Sequence, residues 1–278
     1  MQKSMKSASL ALFAALSIVR AGLAQPAAEP VPPHETFTLE SKALEETRRI
    51  NVYTPPGYSD EAKKAARYPV LYMPDGGIQE DFPHIATTLD AGIRAGEIKP
   101  MILVGIENTE RRRDMTGPTE VEEDRKIAPR VGGSAAFRRF IGNELIPEVQ
   151  RRYRATDETA IIGESLAGLF ILETFFVQPG LFDTAISLDP SLWWNNEELV
   201  KKAAERLETQ PGLRGTLYLA AAGEESNAPT AARLAEVLRT SAPAGLKWQY
   251  KPRPDLRHDN IYRGVAPGVL RELFGAPR

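Results

Sequence analysis

The run Thr159-Ala-Ile-Ile-Gly-Glu-Ser-Leu-Ala-Gly168 constrains this chain more than any other segment. An apolar strand, Thr159 to Ile162, leads into Gly163, and Ala167 and Gly168 follow Ser165 closely. A helical pattern then opens at Leu169-Phe-Ile-Leu-Glu-Thr-Phe-Phe176. Strand, small residue, serine, small residues and helix make a nucleophile elbow, a corner that lifts a serine Oγ clear of a sheet edge. The turn is so tight that the positions flanking the serine must be small. Ala167 is one methyl larger than the glycine usual at that place. The bare pattern recurs by chance, so its weight lies in the strand before it and the helix after it.

The rest of the chain supplies the sheet this corner needs. Thr36 to Glu40 and Arg48 to Tyr53 alternate polar and apolar residues, as antiparallel edge strands do. Short apolar runs follow at Tyr68 to Met73, Met101 to Ile106, Thr159 to Ile162, Ala185 to Leu188, Leu217 to Ala221 and Leu246 to Tyr250. Helical patterns at Phe82 to Ala95, Ser134 to Tyr153, Leu169 to Gln178, Leu199 to Leu207 and Ala228 to Thr240 separate most of them. Strands alternating with helices predict an α/β fold, a mostly parallel sheet of about eight strands covered on both faces. Ser165 then follows the fifth strand.

The first 24 residues read as a segment outside the fold. Lys3 and Lys6 precede an apolar stretch, Leu10 to Val19, too short to span a bilayer, and Gly22-Leu23-Ala24 offers a cleavage site. Residues 25–35 read as a Pro/Ala-rich flexible linker, and residues 36–278 as one domain. The pattern predicts a signal peptide and a soluble mature chain in the periplasm or secreted. With no cysteine there is neither a lipid-anchored N-terminal cysteine nor a disulfide, so stability must come from the core. A net charge of −2 argues against a nucleic-acid or membrane-surface protein.

A serine hydroxyl needs a base to take its proton, and the chain has only three histidines, His34, His84 and His258. His34 falls in the linker. His84 stands at a helix start and reads as structural or pocket-lining. His258 follows the last strand, where hydrolases built around such an elbow carry the base. The oxyanion formed at the acyl carbon needs two backbone N–H donors. Leu166, directly after the serine, is one. The loop Pro74-Asp75-Gly76-Gly77 after the third strand supplies the other, with Gly76 ahead of Gly77.

With these segments in place the chain resembles the putative-esterase family of α/β-hydrolases, which groups esterase-D-like enzymes with siderophore (enterochelin-type) esterases. The resemblance covers roughly Glu35 to Phe274. It is carried by Leu71-Tyr-Met-Pro-Asp-Gly76, Gly105-Ile-Glu-Asn108, Arg111-Arg-Arg-Asp114, Phe137 to Tyr153, Gly163 to Gly168, Asp189-Pro-Ser-Leu-Trp-Trp194 and the His258 loop. It implies the α/β-hydrolase fold and a serine esterase acting on a small-molecule ester, with no cofactor. The lack of cysteine and the three scattered histidines separately argue against a metal site. By position, Ser165 is the nucleophile, His258 the base, and Leu166 and Gly76 the oxyanion donors.

The third triad member departs from the family's pattern. The acid usually sits after the seventh strand in a Gly-x-x-acid turn, and here Gly223-Glu-Glu-Ser226 puts Ser226 in that slot. Asp189, after the sixth strand, is the first candidate, and Glu225 serves if the turn shifts by one residue. A Ser–His dyad is the third arrangement open. Arg111 in the Arg111-Arg-Arg-Asp114 cluster is a candidate for holding a substrate carboxylate or phenolate. The alternative is a surface ion-pair cluster with Glu120, Glu122 and Glu123. Trp193 is a candidate aromatic wall of the substrate pocket. Glu164 is given no role. An acyltransferase would use the same acyl-serine chemistry, and a scaffold protein could keep the fold without it.

Overall fold

The computed structural model describes residues 31–223 and 227–276. Eight strands form one sheet: β1 (His34–Ser41), β2 (Glu46–Tyr53), β3 (Tyr68–Met73), β4 (Ile102–Ile106), β5 (Ala155–Glu164), β6 (Thr184–Leu188), β7 (Gly215–Ala222) and β8 (Leu246–Arg253). Their order is β1-β2-β4-β3-β5-β6-β7-β8. β2 runs antiparallel to both its neighbours and every other pairing is parallel. The expected mostly parallel eight-stranded sheet is the one observed. Strand β1 begins at His34, so the last two residues of the expected linker are sheet residues. His34 packs edge-on against Phe82, with ring centroids 5.4 Å apart.

Among the described residues, ten α-helices flank the sheet: α1 (Phe82–Arg94), α2 (Arg111–Met115), α3 (Glu122–Arg125), α4 (Ser134–Phe140), α5 (Ile146–Arg152), α6 (Leu166–Val177), α7 (Trp194–Lys201), α8 (Ala203–Glu208), α9 (Ala228–Ser241) and α10 (Ile261–Phe274). The helix expected over Ser134 to Tyr153 is continuous but carries a π-helical segment, Ile141–Leu145, between α4 and α5. Pro147 lies in the first turn of α5 and has no N–H to donate back, which is where such a widened turn is tolerated. No helix of the described residues is long and apolar enough to cross a membrane.

The two faces of the sheet bury separate cores. Val70, Tyr72, Ile161 and Leu219 pack with Phe137, Phe140, Phe170 and Leu234 on one face. Leu71, Met73, Ile162 and Ala220 pack with Ile85, Leu89, Val265 and Leu270 of α1 and α10 on the other. The period-two alternation of each strand sends neighbouring residues to opposite cores. Helix α6 is buried on nearly every side, which explains its unbroken run of apolar residues.

Candidate active site

Three non-glycine residues within two positions of the carboxyl ends of β3, β5 and β6 hold positive φ: Asp75 at 55°, Ser165 at 61° and Asp189 at 43°. Left-handed backbone at such residues costs on the order of 1–3 kcal/mol each and persists only where the surroundings enforce it. They gather at the sheet edge where open α/β sheets place their ligands. For Ser165 the enforcing contacts are close packing around the elbow. A Cβ on Gly163 would lie 2.7 Å from the Ala167 Cβ, and one on Gly168 would lie 2.9 Å from Ser187 Oγ. The Ser165 N–H donates to Leu188 O at 3.0 Å, and its carbonyl accepts from Ser191 N at 3.1 Å, tying the elbow to the end of β6. Leu166 opens α6, where first-turn N–H groups have no partner within the helix.

Asp189 is fully buried, and its oxygens are well supplied with donors. Ala222 N–H donates to Oδ1 at 2.9 Å and Asn227 Nδ2 to Oδ2 at 3.0 Å. His258 Nδ1 lies 2.5 Å from Oδ2. Burial works to raise the Asp189 carboxyl, but hydrogen bonds from His258, Asn227 and Ala222 outweigh it and hold the group below its usual range. The His258 loop is itself fastened to the end of β7, because Gly223 N–H donates to Leu256 O at 2.9 Å. Asp189 and His258 are therefore brought together. Glu225, the other candidate acid, lies outside the described residues. Ser165 Oγ has Ser191 Oγ as a partner at 3.2 Å.

Sequence reasoning passed over three residues here. Ser191 faces the nucleophile, and Asn227 braces Asp189. Glu164, the last residue of β5, places Oε1 3.1 Å from His258 Nδ1. Burial pushes the Glu164 carboxyl up to about 8, against the pull of His258 and Arg111. The only signal for Glu164 was its place beside the serine. Asn227 directly follows the Gly223-Glu-Glu-Ser226 turn and could have been considered there.

The β3 loop departs from expectation. Gly76 N–H donates to Ile106 O at 2.9 Å, so it is spent on β4 and is not an oxyanion donor in this geometry. A Cβ there would lie 2.2 Å from Ile106 N, so the glycine serves the close approach of the loop to β4. The next amide, Gly77 N–H, holds Glu80 Oε2 at 2.6 Å.

Arg111 is committed as well: Nε and Nη2 grip the two oxygens of Asp75 at 2.6 and 2.9 Å, a bidentate fork. Arg113 pairs with Glu46, Glu110 and Asp114, and Arg112 donates to Ile127 O. These arginines do form an ion-pair cluster, but Glu120, Glu122 and Glu123 are not its partners. Glu122 and Glu123 face Lys126 instead. A cavity of about 560 Å³ opens over Arg111, Arg112, Arg113 and Arg130. The tryptophan pair divides: Trp194 is buried and donates to Gly117 O at 3.0 Å, whereas Trp193 is 37% exposed. His84 is buried in α1, edge-on to Tyr262.

Among the described residues, Glu164, Asp189 and His258 are the one group of three whose ligand-type atoms lie within 4.8 Å of one another. The 2.5 Å between Nδ1 and Oδ2 is a hydrogen-bond distance, too short for two ligands each about 2.0–2.2 Å from one zinc ion.

The family model described as Putative esterase matches residues 41–259. The chain belongs to that family. Ferri-bacillibactin esterase BesA of Bacillus subtilis (strain 168) is 31% identical over 193 residues, covering 62% of this chain and 63% of that protein. The siderophore triacetylfusarinine C esterase of Aspergillus fumigatus is 31% identical over 200 residues, 67% of this chain and 65% of the relative. The chain thus spans just under two thirds of the length of these relatives. The solved IroE-like serine hydrolase from Shewanella oneidensis has a TM-score of 0.77 at 28% identity, covering 87% of this chain and 80% of that one. The fold of this Putative esterase family member is accordingly the α/β-hydrolase fold.

Proposed function

We propose that the chain is a serine esterase that hydrolyses carboxylic esters through an acyl-serine intermediate, with Ser165 as nucleophile, His258 as base and Asp189 as acid. The observation that carries this reading is the 2.5 Å contact between Asp189 Oδ2 and His258 Nδ1, at the sheet edge where Ser165 holds its strained turn. An Nδ1–H donated to Asp189 leaves Nε2 with a lone pair. Ser165 gives up its proton to Nε2 and attacks the ester carbon. The developing oxyanion rests on Leu166 N–H and Gly77 N–H. Gly77 is the better second donor because its amide already holds a carboxyl oxygen, that of Glu80, which must give way. The imidazolium returns the proton to the leaving alkoxide. Water then repeats the sequence on the acyl-serine, and the acid departs.

The substrate class belongs to the same proposal. The named relatives are siderophore esterases, and an ester of that kind is the proposed substrate. Export to the periplasm or medium is proposed from the pattern of residues 1–24.

Two measurements test the reading. A fluorophosphonate probe should label Ser165, and Ser165→Ala should retain less than about one per cent of wild-type hydrolysis of an aryl acetate while keeping its fold. Substantial residual activity would remove the serine from the mechanism. Turnover of iron-loaded catecholate and hydroxamate siderophore esters, set against simple acyl esters, decides the substrate class.

A further inference from the structure

His258 Nδ1 has one proton to donate and, among the described residues, two carboxyls within reach, Asp189 Oδ2 at 2.5 Å and Glu164 Oε1 at 3.1 Å, with Asn227 Nδ2 at 3.4 Å. The shorter contact takes the proton. Glu164 Oε1 is buried and accepts no hydrogen bond among the described residues. A buried carboxyl oxygen left without a donor calls for a reason. Glu164 pairs in register with Leu188, the residue before Asp189, so neighbouring strands deliver both carboxyls to the same ring nitrogen. The serine-hydrolase reading above uses only one of them.

We propose that Glu164 is a positioning residue for His258, a second carboxyl that steadies the ring beside Asp189 and strengthens it as a base whenever it is ionised. This rests on the serine-hydrolase reading. When Nε2 takes the Ser165 proton, the ring becomes a cation, and a negative charge 3.1 Å from Nδ1 favours that form. Asp189 supplies a charge throughout. Glu164 supplies a second only once it has lost its own proton, and it exchanges none with the substrate. The titratable groups facing it are His258 on its loop, Arg111 on α2, Asp189 after β6, Asp75 after β3 and Tyr262 on α10. Burial holds its ionisation near 8, inside the range where esterase activity is readily measured.

The test is the pH dependence of kcat and KM for an aryl acetate, measured from about pH 6 to about pH 9.5 on the full chain, Glu164→Gln and Glu164→Asp. The wild type should show the ionisation of His258 and then a second rise in kcat/KM of about three- to tenfold, centred near pH 8. Glu164→Gln should match the wild type near pH 6.5, lack the second rise, and keep KM. Glu164→Asp should restore the rise, displaced in pH. A Gln profile that keeps the second rise, or one lowered equally at every pH, would overturn the proposal. If the Gln variant does not fold, the displacement in the Asp variant decides alone, and an unmoved limb counts against Glu164. Fluorophosphonate labelling separates the two levels. A wild type that neither labels nor turns over sinks the hydrolase reading, whereas a labelled enzyme with an unaltered Gln profile sinks only the role of Glu164.

Discussion

The two carboxyls beside His258 come from the ends of adjacent strands, yet they hold opposite charge states. Asp189, after β6, is fully buried and held below its usual range. Glu164, at the end of β5, is also largely buried, and burial pushes it up to about 8. Burial opposes the charge on both carboxyls, so their difference needs a second cause. Asp189 receives hydrogen bonds from His258, Asn227 Nδ2 and Ala222 N–H, and these more than offset desolvation. Glu164 Oε1 has no hydrogen bond among the described residues, and desolvation prevails. The donors decide.

Replacing the charged carboxyl should break this comparison most severely. Asp189→Asn presents an amide N–H to Nδ1 and favours the wrong imidazole tautomer, so kcat should fall by about three to four orders of magnitude. Glu225→Gln should cost far less. The reverse ranking, read from kcat with folding checked by circular dichroism, would move the acid to the segment after β7.

Thinning the donors around Asp189 should do less. Asn227→Ala removes one hydrogen bond from Oδ2, while the N–H of Ala222 and the His258 contact remain. Asn227 Oδ1 accepts no hydrogen bond among the described residues, and Thr230 Oγ1 uses only the Asn227 backbone carbonyl. The loss falls on Asp189, at Oδ2 and its backbone carbonyl, and on the 3.4 Å contact with His258 Nδ1. The acid limb of kcat/KM should move to higher pH, kcat should drop about tenfold, and stability should fall by about 1–2 kcal/mol. An unmoved acid limb would show that the His258 and Ala222 bonds suffice.

The two carboxyls should also leave opposite marks on thermal stability. A depressed carboxyl stabilises the fold above its unfolded pKa and loses that contribution as pH falls through its folded value. A raised carboxyl binds its proton more tightly when folded, so stability declines as pH rises from the ordinary glutamate range through about 8. Melting curves should therefore show Asp189→Asn flattening the acid side and Glu164→Gln flattening the alkaline side, by a few degrees each. Identical pH dependence in the two variants would contradict the opposed charge states.

What the sequence made legible follows from how local each constraint is. The elbow could be read because Gly163, Ala167 and Gly168 restrict one another within a single turn. Asp189 and His258 could be placed by strand order. The fate of Gly76 N–H could not, since its acceptor, Ile106 O, arrives from β4, and the Asp75 grip on Arg111 is equally remote in sequence. Glu164 was passed over because its meaning comes from a ring ninety-odd residues away, delivered by β8 and its loop. Strand periodicity likewise missed His34, a polar residue at a sheet margin.

The tryptophan pair repeats the contrast of enclosed and open partners at smaller scale. Trp194 is buried and donates to Gly117 O, so Trp194→Ala should destabilise the fold by about 3–5 kcal/mol through the cavity and the orphaned carbonyl. Trp193 turns outward two residues beyond Ser191, the serine that faces the nucleophile. Its truncation removes an aromatic surface and its contact with the Trp194 ring at 6.0 Å, but no side-chain hydrogen bond among the described residues. Trp193→Ala should therefore leave the melting temperature within about one degree, because exposed substitutions rarely shift stability further. KM for an aromatic ester should rise about two- to threefold with kcat unchanged, the pattern expected when uniform binding is lost. A falling melting temperature would make Trp193 part of the packing beneath α7. An unchanged KM for aromatic and aliphatic esters alike would take it out of the pocket mouth.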